Sequence, residues 1–418
     1  MEKLIICGGR PLSGTVDIHG AKNSALPILA ACVLCPERCV ITRCPAISDV
    51  NTAVEILTYL GCSAERMGTS VVVDASEANK TDVPQQLMEK MRASVNFLGA
   101  LLGRFGACDL SLPGGCSLGE RPIDYHIAAL SVLGVTMEED GGRLKFRWKK
   151  RRGGEITLPF PSVGATENVV MAALCVPEPV VLRGAAREPE VEDLCRFLGT
   201  LGADIGGIGS DTLTIRGGKP LHGGVYTVMP DRMEAATYLA LGAACGGTIK
   251  LRGAEAEHLV PVTEVLRRAG CRIESEGKMI CLSRNGPLCG AGYVETAAYP
   301  GFPTDAQAPV MAAMLRAEGE TVFHETVFKS RFRHVHELRK FGAEIITNGS
   351  TAAVRGIKTL HGAAAAATDL RGGAAVLLAA LQADGESSVE KLHFVERGYA
   401  ELTENLRNLG AVLYEQTP

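Results

Sequence analysis

The chain has 418 residues, 46% of them hydrophobic, with 48 glycines, 20 prolines and 14 cysteines. This is a globular composition that excludes disordered, collagen-like and low-complexity classes and predicts two or three domains of ordinary size. Forty-three lysines and arginines against 47 aspartates and glutamates leave a net charge of -4, so no long-range field draws the whole molecule onto nucleic acid or an acidic membrane. Any anionic ligand must be met by local clusters.

In chain order, MEKLIICGGRPL has four consecutive apolar residues before Gly8-Gly9 and no processing site, which predicts a strand and no secretion signal. The next segment, AKNSALPILAACVL (residues 21–34), is apolar nearly all round, as a buried helix is. The longest uncharged apolar stretch, Ser24 to Cys35, is shorter than the roughly 20 residues a bilayer-crossing helix needs. A cytoplasmic protein that does not enter the membrane is therefore expected, with its thiols reduced. The spacing of Cys32, Cys35, Cys39 and Cys44-Pro45 admits an iron–sulfur reading, but cysteines in an apolar helix and flanking a strand are better explained as small buried hydrophobes.

VNTAVEILTYLG follows, with apolar residues at i, i+3, i+4 and i+7, closed by Gly61. A glycine at that place enters the left-handed conformation without steric cost. The phrase recurs after an amphipathic helix and before alternating strand-like residues at Gly134, Gly202, Gly270, Gly342 and Gly410. Spacings of 68 to 73 residues make six copies that fill the chain. Each copy holds a second, more apolar helix: the segment at 21–34, MRASVNFLGALLGRFG, GATENVVMAALCV, RMEAATYLALGAACG, TDAQAPVMAAMLRAEG and TDLRGGAAVLLAALQADG. The expected fold is α/β: two lobes of three repeats, buried helices inside and sheets outside, with the cleft between lobes as the ligand site.

These buried helices begin with polar residues they do not need for packing: Lys22-Asn23, Arg92, Ser162 to Thr166, Asp231-Arg232, Thr304-Asp305 and Asp369 to Arg371. A cation at a helix N-terminus works against the dipole, so Lys22, Arg92, Arg232 and Arg371 imply a compensating anion. An ordinary salt bridge, as between Asp231 and Arg232, is the alternative at any one of them.

Between the second buried helix and its partner lies LSLPGGCSLGERPIDYH (residues 110–126), whose glycines suit a closing loop. Cys116 stands there between glycines and near Arg121, a setting that lowers a thiol pKa and makes it reactive; taken alone, an incidental loop cysteine is the better explanation. The run from Arg143 to Arg152 has seven basic residues in ten, but Leu144, Phe146 and Trp148 alternate as a hairpin strand with a solvated face does, so nucleic acid is not expected as a partner. His324, His334 and His336 read as core or helix-surface histidines rather than metal ligands. There is no GxGxxG and no GxxxxGK[ST] to hold a dinucleotide or ATP.

The segments AKNSALPIL, MRAS, LPGGCSLGERPIDYHI, SVGATEN, AAREPE, MPDRMEAATYL, GFPTDAQAP, ETVF with RFRHV, ATDLR and ERGY together resemble the UDP-N-acetylglucosamine enolpyruvyltransferase family. The likeness spans essentially the whole chain; the shikimate-pathway enolpyruvyltransferases are similar more distantly and lack the PGGC loop. The resemblance implies transfer of the enolpyruvyl group of phosphoenolpyruvate to the 3-hydroxyl of UDP-N-acetylglucosamine, the first committed step of peptidoglycan synthesis, with release of phosphate and without metal or cofactor. It implies Asp305 as base, Cys116 as the residue that protonates and can add to phosphoenolpyruvate, and Lys22, Arg92, Arg121, Arg371, Arg397 and Arg331 as its anion-binding set. Lys22 and Arg397 also count among the catalytic residues.

For the nucleotide sugar it implies Arg121, Pro122, Ile123, Asp124 and His126 around the uracil. Ser162, Val163 and Gly164 would meet the diphosphate and Asn23 and Val327 the amino sugar, with Arg92 and Asp305 also in contact. Glu188, Asp231, Arg232 and Asp369 would orient the basic residues. One lobe would cover residues 22–229 and the other 1–21 with 230–418. The chain departs from the family at Phe160 and Ser48, where lysines are usual, and at Asn96, where tryptophan is usual. Those changes suit a second, paralogous copy, and two alternatives stand beside the main reading: another acceptor, such as shikimate 3-phosphate, or a catalytically weak paralogue that binds nucleotide sugar.

Overall fold

The computed structural model describes residues 3–111 and 123–416, and its contacts divide the chain into two units. One comprises residues 3–19 and 230–416, the other residues from 20 to 229.

The same sheet recurs throughout. Strand Gly14–Asp17 runs parallel to Gly247–Arg252, which pairs antiparallel with Met279–Arg284 and through it with Arg272–Glu276. Strands Gly292–Glu295, Glu320–His324, Thr351–Arg355 and Glu344–Asn348 repeat that order. In the last sheet of this unit, Ala364–Ala366 and Glu386–Glu390 are followed by Lys3–Cys7 and then Val412–Gln416. The N-terminal strand thus fills a slot that the chain's own hairpin fills elsewhere, in the register Lys3 opposite Glu390 and Gln416.

The other unit closes on itself in a similar way, with Gly224–Thr227 parallel to Cys39–Thr42 beside the hairpin Ser63–Met67 and Ser70–Asp74. Strands Gly154–Thr157, Val180–Arg183, Thr212–Arg216 and Asp204–Gly206 form a second sheet of the same order. The third has three strands, Ala107–Ser111, Arg143–Trp148 and Val135–Asp140, and a single parallel bridge between Asp82 and Asp109 stands where the fourth would lie.

The apolar helices are buried as their composition predicts. Arg232–Cys245, Thr304–Ala313 and Leu370–Gln382 pack on one another in one unit, and Lys22–Ala31, Phe97–Phe105 and Val163–Ala173 in the other. The six repeat glycines all take a left-handed φ, between +92° and +99°, where a side chain would be strained. Two helices are shorter than their apolar patterns. The segment from 91 to 106 opens with a 3-10 turn, Arg92–Asn96, before the helix proper, and the helix that starts at Thr304 ends at Ala313 in a 3-10 turn, Met314–Arg316.

Candidate active site

In the unit that includes residues 230–416, three buried helices begin with the charged residues noted above. Asp305 is the second residue of Thr304–Ala313. Arg331 Nη2 donates to its Oδ1 at 2.7 Å and Arg371 Nε to its Oδ2 at 3.1 Å. Both guanidinium side chains are 3% exposed, whereas the carboxylate is 29% exposed, so the acid is presented while its partners are sealed. Arg331 also donates to the Thr304 carbonyl at 3.0 and 3.2 Å, which fixes it to the same helix start. Pro309, inside that helix, has no N–H to offer the Asp305 carbonyl four residues back, and Pro27 stands likewise to Asn23.

Arg371 lies over the Tyr399 ring, 5.3 Å from its centroid, and the phenol of Tyr399 bonds Thr237 at 2.7 Å. Burial works against the Arg371 charge, but Tyr399, Asp305 and Asp231 outweigh it and hold its pKa above that of an ordinary arginine. Asp369 caps the Leu370–Gln382 helix by accepting from the backbone N–H groups of Arg371 and Gly372, each at 3.0 Å, and so sets the direction from which Arg371 projects. Asp231 caps its own helix through Met233 and Glu234 at 2.7 and 2.9 Å. Arg232 is buried with its guanidinium 5.4 Å from the Tyr299 ring centroid. Arg397 is half-buried, between the turn Leu392–Phe394 and the helix Leu402–Asn408.

Glu325, to which the sequence assigns no role, and His334, read there as a core or helix-surface histidine, both pack into this region. Glu325 accepts from Val327 N at 2.8 Å, Phe328 N at 3.1 Å, Thr296 at 3.0 Å and Thr304 at 2.9 Å, tying the Val327 loop to the helix that bears Asp305. His334 is 1% exposed and neither ring nitrogen has a hydrogen-bond partner among the described residues. Burial, with the Arg331 charge adding to it, pushes this imidazole down to about 4 against the pull of Asp369, so it is neutral at physiological pH.

In the unit from 20 to 229, Lys22 Nζ lies 2.6 Å from Oδ2 of Asp49, with both side chains nearly buried. Asn23 is the one exposed residue of its helix. His126, on the helix Asp124–Val132, is buried and pushed down to about 4 by desolvation and then by the Arg92 charge. Its Nε2 comes within 3.0 Å of where a Cβ on Gly164 would stand, so a larger residue at 164 would press on the ring. Ser162 caps the adjacent helix by accepting from Ala165 N at 3.4 Å, with Val163 and Gly164 in its first turn. Arg92, His126 and the start of the Val163–Ala173 helix are thus brought together, with Asp124 and Ile123 at the start of the helix that carries His126.

Glu188 stands immediately before the Pro189–Thr200 helix, at its N-cap position. Near it, Glu167 is fully buried and its pKa is driven well up by desolvation and by the charges of Glu190 and Glu188, against a hydrogen bond from Asn96. Phe160 and Ser48 are exposed. Cys116, Arg121 and Pro122 lie outside the described residues.

At two of the helix starts where a cation implied a bound anion, a carboxylate of the same unit already stands against it, Asp49 for Lys22 and Asp305 for Arg371. The reason is packing: a buried cation needs a partner in the folded chain whether or not a ligand is present. The nearby cysteines are packed thiols. Cys32 donates to the Ile28 carbonyl, Cys35 and Cys39 both approach the Glu37 carbonyl, and burial pushes Cys44 up to about 12. Cys32 belongs to a 3-10 turn, Cys32–Leu34, beyond the end of the helix.

The basic run forms the strand Arg143–Trp148, with Leu144 and Phe146 buried and Arg143, Lys145 and Arg147 paired to Asp82, Asp140 and Asp109. His336 is exposed beside Glu337, and His324 ends a strand in contact with Glu295 and Tyr293. Among the described residues no group of histidines, cysteines and acids could hold a metal ion, and no helix is long and apolar enough to cross a membrane.

The family model of EPSP synthase (3-phosphoshikimate 1-carboxyvinyltransferase) matches residues 6–406. The chain is 42% identical over 411 residues to UDP-N-acetylglucosamine 1-carboxyvinyltransferase 2 of Caldanaerobacter subterraneus subsp. tengcongensis, covering 98% of this chain and 99% of the relative. It is 44% identical over 413 residues to UDP-N-acetylglucosamine 1-carboxyvinyltransferase of Nitratidesulfovibrio vulgaris, covering 98% of each. Among solved structures, the enolpyruvyl transferase NikO from Streptomyces tendae superposes with a TM-score of 0.90 at 28% identity, covering 99% of this chain and 98% of that one. EPSP synthase from Acinetobacter baumannii, at 17% identity, gives 0.76 with both chains fully covered and shares the fold.

Proposed function

Because the chain belongs to the EPSP synthase family of enolpyruvyltransferases, and is similar from end to end to its UDP-N-acetylglucosamine 1-carboxyvinyltransferases, we infer that it transfers an enolpyruvyl group to UDP-N-acetylglucosamine. The observation that carries the reading is identity of 42–44% to those transferases over 98% of the chain. Phosphoenolpyruvate is the donor and phosphate the second product, and the reaction opens peptidoglycan synthesis. We take it to run in the cytoplasm.

We propose the following division of work. The 3-hydroxyl oxygen of the amino sugar attacks C2 of phosphoenolpyruvate while Asp305 removes its proton and Cys116 delivers one to C3. The tetrahedral adduct then loses a proton from C3 and expels phosphate, which restores the double bond on the new ether. Lys22, Arg92, Arg121, Arg331, Arg371 and Arg397 bind the phosphate and carboxylate of the donor and the charge that develops on them. The hydrogen bonds of Arg331 and Arg371 support this role for Asp305, since they fix both oxygens of a carboxylate that stays partly open.

Ile123, Asp124 and His126, with Arg121 and Pro122, receive the uracil. Backbone N–H groups at Ser162, Val163 and Gly164 receive the diphosphate, as helix starts do, while Asn23, Arg92 and Val327 meet the sugar. A neutral His126 suits a hydrogen bond to a neutral base. Glu188, Asp231, Arg232 and Asp369 orient the cations.

The test is phosphate release from phosphoenolpyruvate with each of two acceptors. Release with UDP-N-acetylglucosamine and none with shikimate 3-phosphate is expected. The reverse, or ligand binding without release, would replace this reading with one of its alternatives.

A further inference from the structure

A groove of about 740 Å³ opens on the unit that includes residues 230–416, lined by Phe332, Phe394, Arg333, Arg339, Lys391 and Thr368 among others. Its apolar part is Phe332 and Phe394, each half-buried against the core, with the His393 ring 4.3 Å from that of Phe394. Its rim is cationic. The side chains of Arg333 and Lys391 are exposed and make no hydrogen bond or ion pair among the described residues. Arg339 is fixed in place by two bonds to the Ile345 carbonyl, at 3.1 and 2.6 Å.

The carboxylate in the groove, Glu337, is already held by Lys340 at 2.9 Å and His336 at 2.7 Å, so it does not cancel that charge. Lys391 also adopts φ +59° and ψ +38°, a left-handed conformation that residues other than glycine rarely take, and so it stands at the rim in a position the surrounding structure imposes.

At one end of the groove is Thr368, whose hydroxyl donates to Oδ2 of Asp369 at 3.1 Å. Asp369 caps the helix of Arg371, and Arg371 holds Asp305. The hydroxyl also lies close to the first turn of that helix, where a Cβ on Gly372 would come within 2.3 Å of it. A ligand that draws on this hydroxyl therefore changes the cap from which Arg371 projects.

We propose that this groove is an effector site for a small phosphate attached to a flat ring, with the ring on Phe332 and Phe394, the phosphate between Arg333 and Lys391, and Thr368 as the link to Asp305. Only the link rests on the function inferred above; binding itself does not. The probes are phenyl phosphate and inorganic phosphate, titrated calorimetrically into the full chain and into an R333A/K391A variant, whose changes are exposed and outside the catalytic set.

Phenyl phosphate is expected to bind at least about tenfold more tightly than inorganic phosphate, and the double variant to lose about tenfold in that affinity while releasing phosphate at the unliganded rate. Equal affinity for the two probes, or phenyl phosphate binding undiminished in the variant, would overturn the site. With the site occupied, phosphate release should change at least twofold in the native chain and not in the variant. An unchanged rate in the native chain would overturn the link.

Discussion

The Nε of Arg371 lies 3.1 Å from Oδ2 of Asp305, although 66 residues separate them in the chain and the arginine is almost wholly out of water. A buried guanidinium that loses its carboxylate keeps the desolvation cost without the attraction. Asp305→Ala should therefore destabilise the protein by about 3 kcal/mol, and Asp305→Ala with Arg371→Met should recover most of that loss. Urea unfolding of the two single variants and the double variant measures this. Strictly additive losses would mean that the two residues are not coupled.

His334 binds a proton less readily when folded than when unfolded, since burial pushes it down to about 4 from the 6.5 of an ordinary imidazole. Between these values the unfolded chain carries more protons, so stability falls as pH is lowered from 7 and keeps falling towards 4. From pH 7 to pH 5 this residue should remove about 2 kcal/mol. His334→Gln should lose correspondingly less over that interval in urea titrations at the two pH values; an equal loss in both proteins would assign the acid sensitivity elsewhere.

Phe160 is exposed, at the position where the family resemblance leads one to expect a lysine. Phe160→Lys should tighten UDP-N-acetylglucosamine binding about three- to tenfold at low salt, with the gain shrinking as ionic strength rises and kcat little changed. Calorimetry at two salt concentrations decides; no gain at either would place the diphosphate away from this residue.

Thiol reactivity should be confined. Burial pushes Cys44 and Cys195 up to about 12 and Cys62 and Cys271 up to about 11, which leaves these sulfurs protonated at neutral pH. Fosfomycin, an epoxide mimic of phosphoenolpyruvate, should give a single adduct, on Cys116, and form it faster with nucleotide sugar present. Intact-mass and peptide mapping provide the readout, and adducts spread over several cysteines would count against a primed thiol at 116.

Much of the architecture is legible in the residues because it is local. A glycine such as Gly202 or Gly410 that closes an amphipathic helix and precedes an alternating segment encodes one repeat, and its left-handed φ follows from the same cause. Apolar composition likewise marks the helices that end up buried. Composition is a poorer guide to helix ends: Arg92–Asn96 opens a segment, residues 91–106, that reads as helix throughout, yet it winds as a 3-10 turn.

Partnerships within the candidate site are less legible, because they are made by packing rather than by spacing. That an acid stands at residue 305 and a cation at 371 is visible in the sequence; that one grips the other depends on two helices of different repeats lying side by side. Asp49 is another such case: as an acid in the first turn of a helix it reads as a favourable dipole contact, and only the fold brings Lys22 onto it. Glu325 gives little signal: Val327 N and Phe328 N, two and three residues on, make a local turn with it, but the bonds from Thr296 and Thr304 that tie it to the site come from groups only the fold gathers.

The central claim is that the carboxylate clasped by Arg331 and Arg371 takes the proton from the acceptor hydroxyl. Asp305→Asn preserves its size and leaves an oxygen for one arginine while removing the base. In parallel, phosphate release and the mass of the nucleotide-sugar product should be followed in the native and substituted proteins, with nucleotide-sugar affinity measured by calorimetry. The account predicts that the native protein adds an enolpyruvyl group to the sugar, and that the substituted one loses at least about a thousandfold in rate with affinity within about threefold. Product formed at an undiminished rate by the Asp305→Asn protein would contradict it.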